Sequence, residues 1–389
     1  MKRLRTMSLS RLVGFAAVVV VVFAGSAVAV AARSGHHSTP PPKPLAQALH
    51  DALAGQKPTG ITARITFTNK LFPSGALVGQ AGGSTLMSGA SGRLWVNDIG
   101  GRLELQSTDG NDAQIVWDDS RVTIYDASSN TAYVFDLPKQ QEQASRSKTD
   151  AVPSIDEITK FLTELGKNWN VSGAQPSNVA NQESYTVKVS PSHDGGLLGS
   201  AELAFDAANG VPLDVSITAQ GESSPVLALR ATDISFGSVP RSDVAVAPPS
   251  GAKIVDLSSA RAQGDHGSKT PPVTGLAAVK AAAPFPVVVP DALVGLPLQD
   301  VRLVGGSTVL ATYGQGLGAI VVVEHAQGTQ SGSMGGLGQL PTVSLDGITG
   351  HELATQLGTI LTWNANSVSF VLAGSVPPAA AESAARSLK

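Results

Sequence analysis

The chain contains no cysteine in 389 residues, which excludes disulfides, thiolate metal centres and a lipid anchor attached through an N-terminal cysteine. Charged residues make up only 15% and aromatic residues only 5%, while Gly (41) and Pro (24) are abundant. That balance favours β-structure with many turns over helical bundles. The net charge is −3, and setting aside the four basic residues Lys2, Arg3, Arg5 and Arg11 leaves −7 for the remainder. No basic face for nucleic acid follows from such a remainder.

Catalytic signatures are also missing. No Ser lies in a Gly-x-Ser-x-Gly elbow, and no His-Glu-x-x-His or clustered His/Asp/Glu set has metal-ligand spacing. The histidines are scattered at His36, His37, His50, His193, His266, His325 and His351. Asp118 and Asp119 are adjacent carboxylates in a two-residue break between apolar runs, which reads as a solvated hairpin tip. Gly314, Gly316 and Gly318 imitate a phosphate loop, but the β-branched run Ile320–Val323 follows them where a helix would have to start. A hairpin turn is the expectation there. No catalytic residue, metal site or cofactor is expected, and the chain reads as a non-enzyme.

What is present begins with an apolar run, Leu12–Ala32, behind a basic start and ending in overlapping Ala-x-Ala patterns at Ala27–Ala29 and Ala29–Ala31. Two readings stand: a signal peptide cleaved near Ala29–Ala31, or an uncleaved anchor spanning the membrane. Both place the rest outside the cytoplasm. Residues 34–44 are Pro-rich and are expected to be an extended spacer, with His36 and His37 as ordinary linker residues.

The expected domains are residues 1–33 as leader or anchor, 34–44 as linker, 45–257 as a first domain, 258–284 as a second linker, and 285–389 as a smaller α+β domain. In the first, Leu45, Leu49 and Leu53 mark a short amphipathic helix. Gly92–Pro138 holds successive apolar-alternating runs broken by Gly, Asp, Asn and Ser, the pattern of a β-meander. Leu103 and Leu105, Ile115 and Trp117, Val122 and Ile124, and Tyr133 and Phe135 recur at spacing two, so each pair shares a strand face. Arg102, Glu104 and Gln106 take the opposite, wet face. Ser154 and Glu157 form a capping box for a helix ending near Gly166, with Ile155, Ile158, Phe161, Leu162 and Leu165 on one side. This helix is expected to lie on the apolar side of the sheet, either completing a core or covering a cavity.

The order of these features, with the Asp109-Gly110 turn, Trp117 and Tyr125, the Tyr133–Pro138 strand end and Pro248-Pro249 with Gly251, resembles the LolA-like superfamily. That group includes periplasmic lipoprotein carriers, mycobacterial lipid-binding lipoproteins and the N-terminal domain of the regulator RseB. The resemblance covers about Leu45–Val255. It implies a mainly β, α+β fold: a curved, unclosed antiparallel β-barrel with helices in its mouth. It also implies acyl-chain binding without covalent chemistry. By that analogy Leu103, Leu105, Ile115, Trp117, Val122, Ile124, Tyr133 and Phe135 line the cavity, joined by Ile158, Phe161 and Leu162 from the helix. The C-terminal unit is similar to small domains appended to LolA-like proteins of actinobacteria. The chain departs from the lipid-binding lipoproteins in lacking the anchoring Cys, and from the soluble carriers in its long apolar segment. The expected partner is a lipid or lipoprotein acyl chain. The alternative is an RseB-like regulator that binds a membrane protein such as an anti-sigma factor.

Overall fold

The structure is a computed structural model describing residues 38–72, 86, 89–107, 111–137, 152–257, 272–328 and 340–388. The apolar run Leu12–Ala32, His36, His37, His266, the Asp109-Gly110 turn and the polar stretch Lys139–Asp150 lie outside the described residues. Among the described residues, no helix is long and apolar enough to cross a membrane.

Helix α1 (Leu45–Ala54) leads into β1 (Ile61–Asn69), and the meander follows as β2 (Ala90–Asn97), β3 (Gly100–Gln106), β4 (Ala113–Trp117), β5 (Arg121–Asp126) and β6 (Thr131–Asp136). Next come α2 (Ile155–Leu165), β7 (Trp169–Val171), β8 (Gln175–Val179), β9 (Gln182–Pro191), β10 (Leu198–Asp206), β11 (Pro212–Ala219), β12 (Leu227–Phe236), a single turn α3 (Arg241–Val244) and β13 (Lys253–Asp256). All thirteen strands join one sheet, in the order β13-β6-β5-β4-β3-β2-β1-β12-β11-β10-β9-β7, with β8 also on β9. The sheet is curved and unclosed. Every pairing is antiparallel except that of β13 with β6.

Two halves of the sheet meet where β1 pairs with β12, and a bulge between Arg64 and Ile65 bends the strand there. The sheet curls until these halves bury each other: Ile65, Leu94, Leu103, Leu105 and Trp117 share a core with Val179, Leu213 and Ile234. The space left there, among Ala63, Ile65, Leu94, Leu213 and Ile234, is about 20 Å³. That is room for about one water molecule, and none for an acyl chain.

Helix α1 differs from its expected stripe. Ala48 and Ala52, flanked by Leu45 and Leu49, face Tyr185, Val187 and Phe205, and Leu53 is left exposed. The Tyr185 and Phe205 rings that meet the helix are 6.0 Å apart. Helix α2 has the capping box read from the sequence, with the Ser154 hydroxyl accepting the Glu157 N–H and the Glu157 carboxylate accepting the Ser154 N–H. It packs on α1 and β7 rather than over the meander.

Part of the Pro-rich stretch is likewise no free spacer. Pro40 is buried, the Pro41 carbonyl accepts the Tyr185 hydroxyl at 2.6 Å, and the Ser38 carbonyl accepts from the Asn178 amide at 2.9 Å. An extended proline segment needs no ladder partner of its own, so it lies readily along a sheet that offers side-chain donors.

The second unit comprises β14 (Val273–Thr274), α4 (Leu276–Ala282), β15 (Ala292–Leu293), β16 (Leu296–Val304), β17 (Thr308–Tyr313), β18 (Ile320–Ala326), β19 (Thr342–Leu345), β20 (Ile348–Thr355), β21 (Gly358–Ala365), β22 (Val368–Gly374) and α5 (Pro378–Arg386). Its nine-stranded sheet runs β14-β16-β17-β18-β22-β21-β20-β19, with β15 on β16. One core holds Phe285, Tyr313, Leu361, Trp363 and Phe370 together with Val279 of α4 and Ala381, Ala384 and Ala385 of α5. Residues 273–282, read from sequence as part of a linker, therefore belong to this sheet. Their Ala-rich composition concealed one buried valine and a two-residue strand.

The sheets touch through backbone hydrogen bonds. The Gly318 N–H donates to the Asp194 carbonyl (2.8 Å), the Leu197 N–H to that of Ser375 (3.2 Å) and the Gln356 N–H to that of Leu71 (3.1 Å).

Candidate functional site

The meander residues singled out from the sequence lie in two lateral rows on one face. Leu94, Leu103, Ile115, Ile124 and Tyr133 stand opposite one another across β2 to β6, and Val255 of β13 extends the row. Val96, Gly101, Trp117, Val122 and Phe135 form the neighbouring row. Leu105 lies on the same face of β3 as Leu103.

Burial is graded along these rows. Leu103, Leu105 and Trp117 are buried in the core between the sheet halves, with Ile115 and Val122 half-buried against it. Ile124, Tyr133 and Phe135 are half-exposed and lie outside the core clusters. The face thus runs from a filled interior to an open edge.

Gly101 shapes the boundary. A Cβ there would stand 2.2 Å from the Trp117 ring, so the indole lies flat across β3 only because residue 101 has no side chain. The indole is 4% exposed, and its Nε1–H has no hydrogen-bond partner. A buried donor without a partner costs about 1–3 kcal/mol. It stands beside Val122, where the half-exposed part of the row begins.

The helix residues are placed elsewhere. Ile158 is the buried residue of α2, Leu162 is half-buried, and Phe161 projects outward at 64% exposure. With α2 on α1 and β7, these three are not gathered with the meander rows. Nor is the opposite face of β3 wholly wet. Arg102 pairs with Glu104, lies 4.8 Å over the Trp95 ring and donates to the Asp243 carbonyl of α3.

Solved structures that match the chain at low scores include MucB and LolA superfamily proteins. With MucB in the Pseudomonas aeruginosa MucA/MucB complex it shares 15% identity, over 88% of this chain and 94% of that one, at a TM-score of 0.40. A putative outer membrane lipoprotein-sorting protein domain from Vibrio parahaemolyticus gives 12% identity, 52% and 94% coverage and a TM-score of 0.20. A LolA superfamily protein from Nitrosomonas europaea gives 8% identity, 52% and 96% coverage and a TM-score of 0.21. No protein-family model matches the chain, and no curated protein matches it in sequence. Likeness at these scores carries no argument about this chain.

Asp118, singled out from the sequence, has structural partners. The Asp118 carboxylate accepts from the Ser120 N–H, the Ser120 hydroxyl and the Arg121 N–H, which makes it the cap of the β4–β5 turn. Partial burial works to raise its pKa, yet these bonds together hold it below the ordinary carboxylate value. Gly314–Gly318 forms the β17–β18 connection with one 3₁₀ turn, as the β-branched run after it required. Among the described residues no group of three or more His, Asp or Glu could hold a metal ion.

Among the buried carboxyls that sequence reasoning missed, one is fully enclosed. Glu324 in β18 is 0% exposed; one oxygen accepts the Val288 N–H at 3.0 Å and the other has no partner. Burial pushes its pKa up to about 7, against the Val288 hydrogen bond and the charge of Lys280. The only sequence signal was one acidic residue inside the run IVVVEHA, at a position whose parity faces inward.

Proposed function

We propose that this chain is an extracytoplasmic, non-enzymatic binding protein for a lipid or lipoprotein acyl chain. The observation that supports this is the end of the two apolar rows, where Ile124, Tyr133 and Phe135 are partly exposed and lie outside the core clusters. An acyl chain laid along them gains about 0.8 kcal/mol per methylene removed from water. The filled interior shifts the expected seat of the chain from the middle of the sheet to its β4–β6 end.

A photoactivatable diazirine fatty acid tests this with the full-length chain. Peptides spanning residues 113–136 are expected to carry the label, and excess unlabelled fatty acid is expected to compete it away. Label confined to other segments, or label that does not compete, would overturn the reading.

One observation favours a second reading, a regulator that binds a protein partner. The edge strand β13 leaves Ile254 59% exposed on the face opposite these rows, and a free edge can accept a strand from another chain. A membrane protein that protects β13 amides from hydrogen exchange, with no lipid bound, would support this reading over the first.

A further inference from the structure

A cleft of about 500 Å³ opens on the outer face of β9, β10 and β11. It dwarfs the 20 Å³ left inside the sheet and falls within the range of small-molecule sites, about 300–1,000 Å³. Its side of the sheet follows from register: Phe67, Leu229 and Val215 lie abreast, and the first two pack on the core between the sheet halves. Neighbours along a strand point to opposite faces, so Ser216 and Thr218 point away from that core. Ser216 stands opposite Glu202 and Glu202 opposite Lys188, while Thr218 stands opposite Ser200, and these residues make the floor.

A bulge sets the wall. Gly199 is the extra residue between Leu198 and Ser200, and a Cβ on it would stand 2.7 Å from the Ala219 carbonyl oxygen. The β11–β12 connection, residues 220–225, rises beside it, and at its base the Gln220 N–H donates to the Leu197 carbonyl at 2.7 Å. Ser200 and Ser216 are only 4% and 7% exposed, and neither hydroxyl bonds another of the described residues. The Thr218 hydroxyl and the Gln220 amide group are unused as well. Nearby, by contrast, the Ser177 hydroxyl bonds those of Ser184 and Thr186 at 3.0 and 2.9 Å. Buried polar groups find partners, and Ser200 and Ser216 have only the cleft in which to find theirs.

The lining selects the class of ligand. Lys188 lies 3.5 Å from Glu202, and with Glu222 the charged groups sum to −1, which turns away phosphate and carboxylate groups. No aromatic or large aliphatic side chain lines the cleft, and an acyl chain would leave its hydroxyls without partners. Sugar hydroxyls both donate and accept, so they match the serine and threonine hydroxyls, the Gln220 amide and the Glu222 carboxylate together. We propose that this cleft binds a neutral oligosaccharide, seated on Ser200, Ser216 and Thr218 and closed from the side by Gln220 and Glu222. The site is independent of the acyl-chain surface on β4–β6, which uses the other face of the sheet. With no ring to stack on the sugar, binding rests on hydrogen bonds alone and is weak.

The test is titration of the isotope-labelled, full-length chain with maltotriose, cellotriose and triacetylchitotriose at millimolar concentration, read by NMR at each backbone amide. At least one of the three is expected to give saturable shifts centred on residues 199–202 and 216–223. Ser216→Ala and Glu222→Gln should each weaken that binding several-fold while leaving the thermal midpoint in place, since neither side chain has a partner among the described residues to lose. Saturable binding that is unchanged in both variants would overturn the proposal. So would the absence of saturable shifts with all three sugars, or shifts centred on residues 113–136 instead. Tighter binding of spermine or of inositol hexakisphosphate at the same amides would assign the cleft to a charged ligand and overturn it too.

Discussion

The Val288 N–H donates to the fully buried carboxyl of Glu324 at 3.0 Å and thereby fastens an extended segment, residues 286–290, across the second sheet. The bond joins a backbone strap to a group that titrates near neutrality. Lys280 and Tyr313 are the charged and titratable neighbours coupled to that carboxyl.

Stability of the second unit should fall with rising pH because of Glu324. Its pKa is raised from 4.5 to about 7 on folding, so the folded state holds the proton more tightly. The stabilising contribution is complete below about pH 4.5, declines above it, and is lost as pH passes about 7. The full span is on the order of 3 kcal/mol. Urea unfolding at pH 5, 6, 7 and 8 should show this slope in the native chain and a much flatter one in Glu324→Gln. Identical slopes would remove Glu324 as the cause.

Gly101→Ala should disturb the boundary between the filled and open parts of the meander. The new methyl would meet the Trp117 ring at 2.2 Å, and overpacking of this kind costs about 1–3 kcal/mol. A lowered urea midpoint with a red-shifted tryptophan emission is the expected result. An unchanged emission would mean that the ring does not lie across β3.

Tyr133→Ser and Phe135→Ser should each weaken acyl-chain binding roughly tenfold, since each removes about 1.5 kcal/mol of apolar contact. Both side chains are half-exposed, so the unfolding midpoint should move little. Fluorescent fatty-acid titration beside thermal melts separates the effects. A loss of binding that tracks a loss of stability would argue against a direct role.

The contact between the two sheets should depend on glycine at residue 196. Its φ is +58°, and a Cβ there would lie 2.4 Å from the Ser375 carbonyl oxygen. Gly196→Ala should speed amide exchange at Leu197 and Gly318 while leaving strand protection intact. If exchange at both amides stayed as slow as in the native chain, the contact would not require glycine.

Much of the local structure was legible. Helix α1 follows from the spacing of Leu45 and Leu49. The α2 start is written in Ser154 and Glu157, because a capping box is a contact between near neighbours. The partner of each face was not legible. Alternation states that Leu103 and Trp117 share a side of the sheet, but not that Leu213 and Ile234, over a hundred residues later, would cover them in place of α2. β16 was missed because LPLQDVRLV opens on Leu-Pro and intersperses Asp300 and Arg302, which pair with each other on the outer face. Val255 stands beside Tyr133 through a parallel pairing whose register no local pattern could encode.

That parallel pairing, with the β1–β12 seam, sets the order in which the first domain can be completed. β1 forms its second pairing only with residues 227–236, and β6 is covered only by residues 253–256. As the chain emerges, the meander can assemble early from neighbouring hairpins, but it must wait for roughly ninety further residues before the first flank begins to be sealed. Through that interval both flanks are bare strands able to pair with another nascent copy. A truncation just after Phe236 would leave β6 permanently in that condition.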